Sequence, residues 1–207
     1  MQLHADTLPK ATAAVLEKIK NISNLKDFYL SGGTALSLQL GHRESEDLDF
    51  FTKTPFDPQL LQQKLSQYGE LKDIMVDEGT LNVFMDGVKL QFLSYPYNLL
   101  EEFIPWNGIN LSGVIDVACT KLITISMRGS KKDFIDLYVI LQQMTLKDLF
   151  SKLDLKYAKA QYNYPHILKS LVYFEDADVQ PMPRMHISLD WEKVKNVIIQ
   201  EVKKIEF

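Results

Sequence analysis

Gly32 and Gly33 precede Thr34, and thirteen residues lie between Gly33 and the acid–leucine–acid run Asp47-Leu48-Asp49. Two glycines between a strand and a helix let backbone N–H groups approach an anion closely, and the helix N-terminus adds partial positive charge. Two acids two residues apart on a strand put both carboxylates on one face. Their Cα atoms then lie about 6.5–7 Å apart. At an effective dielectric near 20, two unit charges at that range repel by about 2.4 kcal/mol. A divalent cation turns that cost into attraction, and oxygen donors on a rigid strand, completed by phosphate oxygens, suit Mg²⁺ or Mn²⁺. Singly, each feature has a plainer reading: Gly-Gly is a common turn, and alternating acids are a common solvated strand face. The specificity lies in the combination.

The elements that must position these residues follow from pattern. Phe28–Leu30 reads as a short buried strand, Thr34–Leu40 as a helix ended by Gly41, and residues 47–52 as the next strand. Between them, His42–Glu46 is a polar loop in which His42-Arg43 reads as an exposed pair, with contact to a nucleotide as the alternative. Upstream, Asp6 or Thr7 is positioned to cap a helix with Pro9 in its first turn and an apolar face of Leu8, Ala11, Val15 and Ile19. Downstream, Asp57-Pro58 starts a helix carrying Leu60, Leu61, Leu65 and Tyr68. Strands follow over residues 71–76, 81–85 and 88–94, the last two joined by Asp86-Gly87, a hairpin signal.

Beyond residue 97 the pattern turns helical. Helices are predicted over residues 114–127, from Ser130 to about Met144, over 166–174 and over 191–205, with a Pro-containing acidic loop at 175–185. Lys121 and Arg128 are seven apart, two helical turns, and with Lys131 and Lys132 they form the evident basic cluster, where a phosphate or an RNA backbone could sit. Asp133 fits the third helical position of a capping box begun by Ser130. Asp136 fits the favourable charge of a first turn. The aromatics Tyr157, Tyr162, Tyr164, Tyr173 and Phe174 read as core packing against the last helix, with base stacking as the alternative. The sequence thus predicts an α+β chain: residues 1–97 form an α/β core with a small mixed sheet flanked by helices, and residues 98–207 form a mostly helical subdomain.

Composition bounds the function. The formal net charge is −4, so a polyanionic partner needs a local basic patch rather than the whole surface. The single cysteine, Cys119, sits in an apolar run and reads as a core residue; one cysteine makes no internal disulfide, which fits a reducing cytoplasmic setting. No run reaches the roughly 18 apolar residues of a membrane span, and Met1–Thr7 shows no signal-peptide pattern.

The segment Leu30-Ser31-Gly32-Gly33-Thr34-Ala35-Leu36, then Asp47-Leu48-Asp49-Phe50, resembles the nucleotidyltransferase signature, and more closely the AbiEii/AbiGii toxin family of minimal nucleotidyltransferases. Lys121-Leu122, Arg128-Gly129 and Lys132-Asp133-Phe134-Ile135-Asp136-Leu137 resemble a second block of that family. The resemblance implies the nucleotidyltransferase fold. It implies that Gly32, Gly33 and Thr34 bind the nucleotide and that Asp47 and Asp49 are catalytic and hold the metal. It further implies that Lys121, Arg128 and Lys132 contact the nucleotide and that Lys121 and Asp136 serve the catalytic centre. The substrate would be an NTP and the acceptor tRNA or another macromolecule, such as a protein, with a small-molecule acceptor left open. The setting would be a toxin with a cognate antitoxin.

One position departs from the pattern. Active members of the fold place a third acid on a later strand, and here Gln91, in Val88–Leu93, stands at that place. A neutral amide neither binds a cation strongly nor takes a proton. Two functions therefore stand side by side: a metal-dependent nucleotidyltransferase, or a catalytically impaired module on the same fold that binds nucleotide or a partner.

Overall fold

Leu81, Val83 and Met85 alternate along one strand, Val88, Leu90 and Phe92 along the next, and Leu48 and Phe50 along a third; all are buried. A side-chain period of two puts them on one face of a sheet. In the computed structural model, which describes residues 2–158, 160 and 162–205, that sheet has seven strands. Met1 and residues 206–207, which the expected domain spans include, lie outside the described residues, as do Lys159 and Gln161. The chain forms two compact units, one of residues up to Tyr97 with Glu102–Gly113, the other of Asn98–Glu101 with the chain from Val114 onward.

The first unit contains α1 (Lys10–Ile19), β1 (Tyr29–Ser31), α2 (Gly32–Leu40), β2 (Leu48–Thr52), α3 (Pro58–Leu65), β3 (Leu71–Asp77), β4 (Thr80–Met85), β5 (Val88–Ser94), β6 (Ile104–Trp106) and β7 (Ile109–Leu111). Strand order is β3-β4-β5-β2-β1-β7-β6. The β2–β5 and β1–β7 pairs are parallel and the others antiparallel, so the sheet is mixed. Register aligns Leu48 with Leu90 and Phe50 with Phe92, and the two phenylalanine rings stack 5.2 Å apart. Burying each such ring contributes about 1.5–3 kcal/mol. The helices contact the sheet, α1 on β5, α2 on β1 and β2, and α3 on β3 and β4.

Several local expectations are corrected. Pro9 itself is the N-cap of α1, with no side-chain capping bond, because Asp6 and Thr7 belong to a separate 3₁₀ turn in which the Thr7 hydroxyl donates to the His4 carbonyl. The buried face of α1 is Thr12, Val15, Leu16 and Ile19 rather than one including Ala11. Asp57 does cap α3, accepting from the Gln59 and Leu60 amides, while Leu60 is 44% exposed and Tyr68, past the helix end at Leu65, is exposed as well. The hairpin β6–β7 was not anticipated. Its turn, Asn107-Gly108, has positive φ at both residues, as does Asp86-Gly87 between β4 and β5. Through β7 the segment 102–113 supplies the parallel neighbour of β1.

The second unit contains α4 (Val114–Met127), α5 (Lys131–Ile140), α6 (Leu146–Lys156), α7 (Tyr164–Leu171), α8 (Glu175–Asp178) and α9 (Trp191–Lys203). α4 has the predicted bounds, whereas α5 stops short of Met144 and a new helix begins at Leu146. Its signal was a reciprocal capping box between Thr145 and Asp148. The buried Asp116 carboxylate accepts from the Leu100 and Glu101 amides and pairs with Lys156, which also donates to the Asn98 carbonyl. Those bonds fasten residues 98–101 to the helices. Of the C-terminal aromatics, Tyr157 and Phe174 are buried, the latter against Phe134 and Trp191, while Tyr173 is 53% exposed. Among the described residues, no helix is long and apolar enough to cross a membrane.

Cys119 is fully buried in α4, and loss of solvation pushes its thiol up to about 12 from an ordinary 9.0. Iodoacetamide at pH 8 should therefore leave it unmodified in the native protein and label it in urea. Because the folded value lies above the unfolded one, the associated stability is complete below about pH 9 and is lost as pH rises towards 12, by about 1.4 kcal/mol per unit. Denaturation at pH 8 and pH 10 checks this against Cys119→Ala, in which that component of the slope should vanish.

Candidate functional site

Gly32 links β1 to α2 with φ +63°, a left-handed conformation that favours glycine. A Cβ on it would lie 2.1 Å from Oδ2 of Asp49. The Asp49 carboxylate therefore rests in the space a side chain would fill, directly on the backbone that opens α2. Register supports the same placement, since Asp49 pairs with Ser31, the residue before Gly32. At Gly33, a Cβ would lie 2.5 Å from Nη2 of Arg43 and 3.2 Å from Oγ of Ser45. The glycines are within the first turn of α2, not in a loop ahead of it.

The loop before the acids is not the exposed segment anticipated. His42 is 1% and Arg43 2% exposed, and Ser45 is also buried. Thr34 fastens this loop: its hydroxyl donates to the Asp47 carbonyl and shares a hydrogen bond with Ser45 Oγ at 2.9 Å. One hydroxyl has one proton to give, so Ser45 must be the donor in the second bond. Thr34, fully buried, acts as a positioning residue for Asp47. Arg43 donates from Nη1 to the Glu44 carbonyl at 2.8 Å. Sequence reasoning passed over Ser45, although Ser45, Asp47 and Asp49 share one spacing of two.

Asp47 immediately precedes β2, and both Asp47 and Asp49 are half-buried. Gln91 on β5 is aligned with Asp49, and Asn82 on β4 is aligned with Gln91. Paired residues project to the same face, so Gln91 lies on the face of Asp49, opposite Leu90 and Phe92. Among the described residues, no group of three His, Cys, Asp or Glu side chains is arranged to hold a metal. The donors present fit a hard divalent cation in an open site: two carboxylates beside a glycine turn, leaving positions for water and phosphate oxygens.

In the second unit, Lys121 is buried between two buried acids, 2.7 Å from Asp133 Oδ1 and 2.6 Å from Asp136 Oδ2. Ser130 is the N-cap of α5, but no side-chain capping bond forms. Its hydroxyl turns to Asp133 instead, so the expected capping box is replaced by a side-chain network. The basic cluster read from sequence divides in the same way. Arg128 and Lys132 are exposed, and Arg128 lies past the end of α4, so it does not extend a helical face with Lys121. Lys131 is buried, donates to the Asp178 and Gln180 carbonyls and sits 5.2 Å over the Trp191 ring.

An uncharacterized protein of Aquifex aeolicus (strain VF5) is 37% identical over 209 residues, covering 95% of this chain and 97% of that one. Two solved structures share the fold. A Helicobacter pylori protein designated a nucleotidyltransferase has a TM-score of 0.57 at 18% identity, covering 94% of this chain and 91% of its own. MenT4, a nucleotidyltransferase toxin of Mycobacterium tuberculosis H37Rv, has a TM-score of 0.56 at 16% identity, covering 93% and 81%. The sequence model described as "Nucleotidyl transferase AbiEii toxin, Type IV TA system" matches residues 14–204. The chain therefore belongs to the AbiEii family of nucleotidyl transferase toxins.

Proposed function

We propose that this protein is a metal-dependent nucleotidyltransferase that moves a nucleoside monophosphate from an NTP to a macromolecular acceptor, with tRNA the acceptor to test first. In this reading it works in the cytoplasm as the toxin of a pair with a cognate antitoxin. The observation that carries the reading is the Asp49 carboxylate lodged on Gly32, which joins a candidate cation ligand to a candidate phosphate cradle. Backbone N–H groups of the Gly32-Gly33 turn hold the phosphates, assisted by the partial positive charge at the start of α2. Asp47 and Asp49 hold Mg²⁺ or Mn²⁺, which when bound offsets their repulsion and polarises the phosphate oxygens. Thr34 and Ser45 keep Asp47 in place. An acceptor hydroxyl oxygen bonds to the α-phosphorus, the bond to the bridging oxygen of pyrophosphate breaks, and the hydroxyl proton passes to solvent. Within the second unit, Lys121 is held by Asp133 and Asp136, and the exposed Arg128 and Lys132 are cations that a phosphate backbone could meet. The test is incubation of the protein with each labelled NTP, Mg²⁺ or Mn²⁺ and total RNA, with Asp49→Ala as the control. Label in RNA from the wild type alone supports the reading; no NTP binding by the wild type overturns it.

The alignment of Gln91 with Asp49 favours a second reading, a nucleotide-binding module with little transfer activity. Gln91→Asp separates the two. A third carboxylate on that face should lower metal-free stability by about 1–3 kcal/mol and be compensated by Mg²⁺. If a proton acceptor is what the site lacks, transfer should rise by roughly 10²–10⁴-fold. Unchanged transfer with intact NTP binding would mean that Gln91 does not limit catalysis.

A further inference from the structure

Ser31, Asp49, Gln91 and Asn82 form one row across β1, β2, β5 and β4, aligned pair by pair. All four project to the same face of the sheet. The acids' side of this row is explained by the proposed phosphate and cation site. Its other side is not. Gln91 and Asn82 are half-buried, stand directly opposite each other, and among the described residues neither side-chain amide hydrogen-bonds to the protein.

We infer that Asn82 and Gln91 are the recognition pair for the acceptor, and that they bind a vicinal diol such as a terminal ribose. This rests on the nucleotidyltransferase reading. In-line displacement puts the attacking and leaving oxygens on opposite sides of the phosphorus. The glycine turn opens from β1, so a triphosphate cradled there has its pyrophosphate on the β1 side of Asp49. The attacking oxygen then enters from the β5 and β4 side, where Gln91 and Asn82 project. Opposed residues on antiparallel strands have Cβ atoms about 4.5–5.5 Å apart, so the two amides can engage neighbouring hydroxyls of one sugar. Each amide offers both a donor and an acceptor, which matches hydroxyls that also do both. A carboxylate or phosphate would instead call for cations in this pair, and an ammonium group for anions. Lys89, two residues from Gln91 and on the same face, lies one step further along β5. It suits a phosphate attached to that sugar, as in an RNA end.

The test uses Asn82→Leu and Gln91→Met, near-isosteric changes on an open sheet face, with melting temperature recorded for each. NTP binding with Mg²⁺ is measured first, then transfer of label to total RNA and to the same RNA after periodate oxidation, which destroys the terminal diol. Adenosine serves as a free diol without a phosphate chain. The expected result is NTP affinity within about twofold of wild type for Asn82→Leu and transfer to RNA reduced at least tenfold. Asn82→Gln should regain part of that loss, and oxidised RNA should accept nothing. Labelling of adenosine as efficiently as RNA would assign the diol to a small acceptor, and would still support the pair. Wild-type transfer to oxidised RNA or to protein, or variants that transfer normally, would overturn the inference and leave the nucleotidyltransferase reading standing. NTP binding by the wild type with no label in any acceptor would also overturn it. Absence of NTP binding would overturn both.

Discussion

Replacing Asp47 and Asp49 together by asparagine should abolish NTP binding in the presence of Mg²⁺ and leave the metal-free protein folded. Both side chains are half-buried and share one face at the start of β2, and Asp49 rests on Gly32. Without a cation they repel, so removing both charges should be neutral or stabilising by up to about 2 kcal/mol, with solvent screening pulling the value down. Asparagine keeps the size and one oxygen acceptor of each carboxylate, so local hydrogen bonds survive. With the cation, the same change removes both anionic ligands, and a hard divalent ion has no comparable donors on that strand. Calorimetric titration with an NTP and Mg²⁺, beside thermal denaturation in EDTA, reads the two effects separately. A large drop in melting temperature without metal would make these acids structural and would sink the site.

The parts of this site legible in the sequence are those set by local rules. Strand alternation placed Gln91 opposite the apolar Leu90 and Phe92, and the register with Asp49 agrees. The apolar run Val114–Met127 gave its helix with the correct C-terminal end because Gly129 follows two residues later. What failed depended on partners distant in sequence. Arg43 is a charged residue in a polar loop, and nothing local says that it is 2% exposed; its burial follows from packing over Gly33, ten residues away. Lys121 and Lys131 read as surface cations because their partners are on other elements. The hairpin β6–β7 was missed because its strands have three residues each, too few to show alternation, although Asn107-Gly108 is the turn such hairpins prefer.

Lys121→Met should destabilise the protein by about 3–5 kcal/mol, the range found when one partner of a buried ion pair is removed. Lys121 faces two carboxylates, with side-chain exposures of 8% for the lysine, 4% for Asp133 and 0% for Asp136. Methionine fills the space of the aliphatic stem but leaves two acids in a poorly solvated place. Water cannot take over the role of the ammonium group there, so the penalty is that of stranded charge rather than of one lost contact. By contrast, the exposed pair Lys18–Asp86 should contribute little, because water screens it, although its 2.6 Å separation is as short. Urea denaturation of both lysine variants gives the comparison. Adding Asp133→Asn and Asp136→Asn to Lys121→Met should restore most of the lost stability, since neutral amides tolerate that environment far better. A loss below about 1 kcal/mol for Lys121→Met would mean that the acids find other compensation, and that Lys121 is not the keystone of this network.

The route of the chain between its two units has a consequence for inheritance. After Tyr97 it contributes Asn98–Glu101 to the helical unit, then returns to lay β6 and β7 beside β1, and only at Val114 departs for good. A recombination joint at residue 97 would strip the sheet of the neighbour of β1. A joint at 113 would leave Asp116 and Lys156 without the backbone groups of residues 98–101 that they hold. Neither seam releases an intact module, so the helical half cannot be exchanged between genes by a single crossover. Descent should therefore carry the two halves as one block, diversifying by substitution on exposed faces rather than by shuffling of parts.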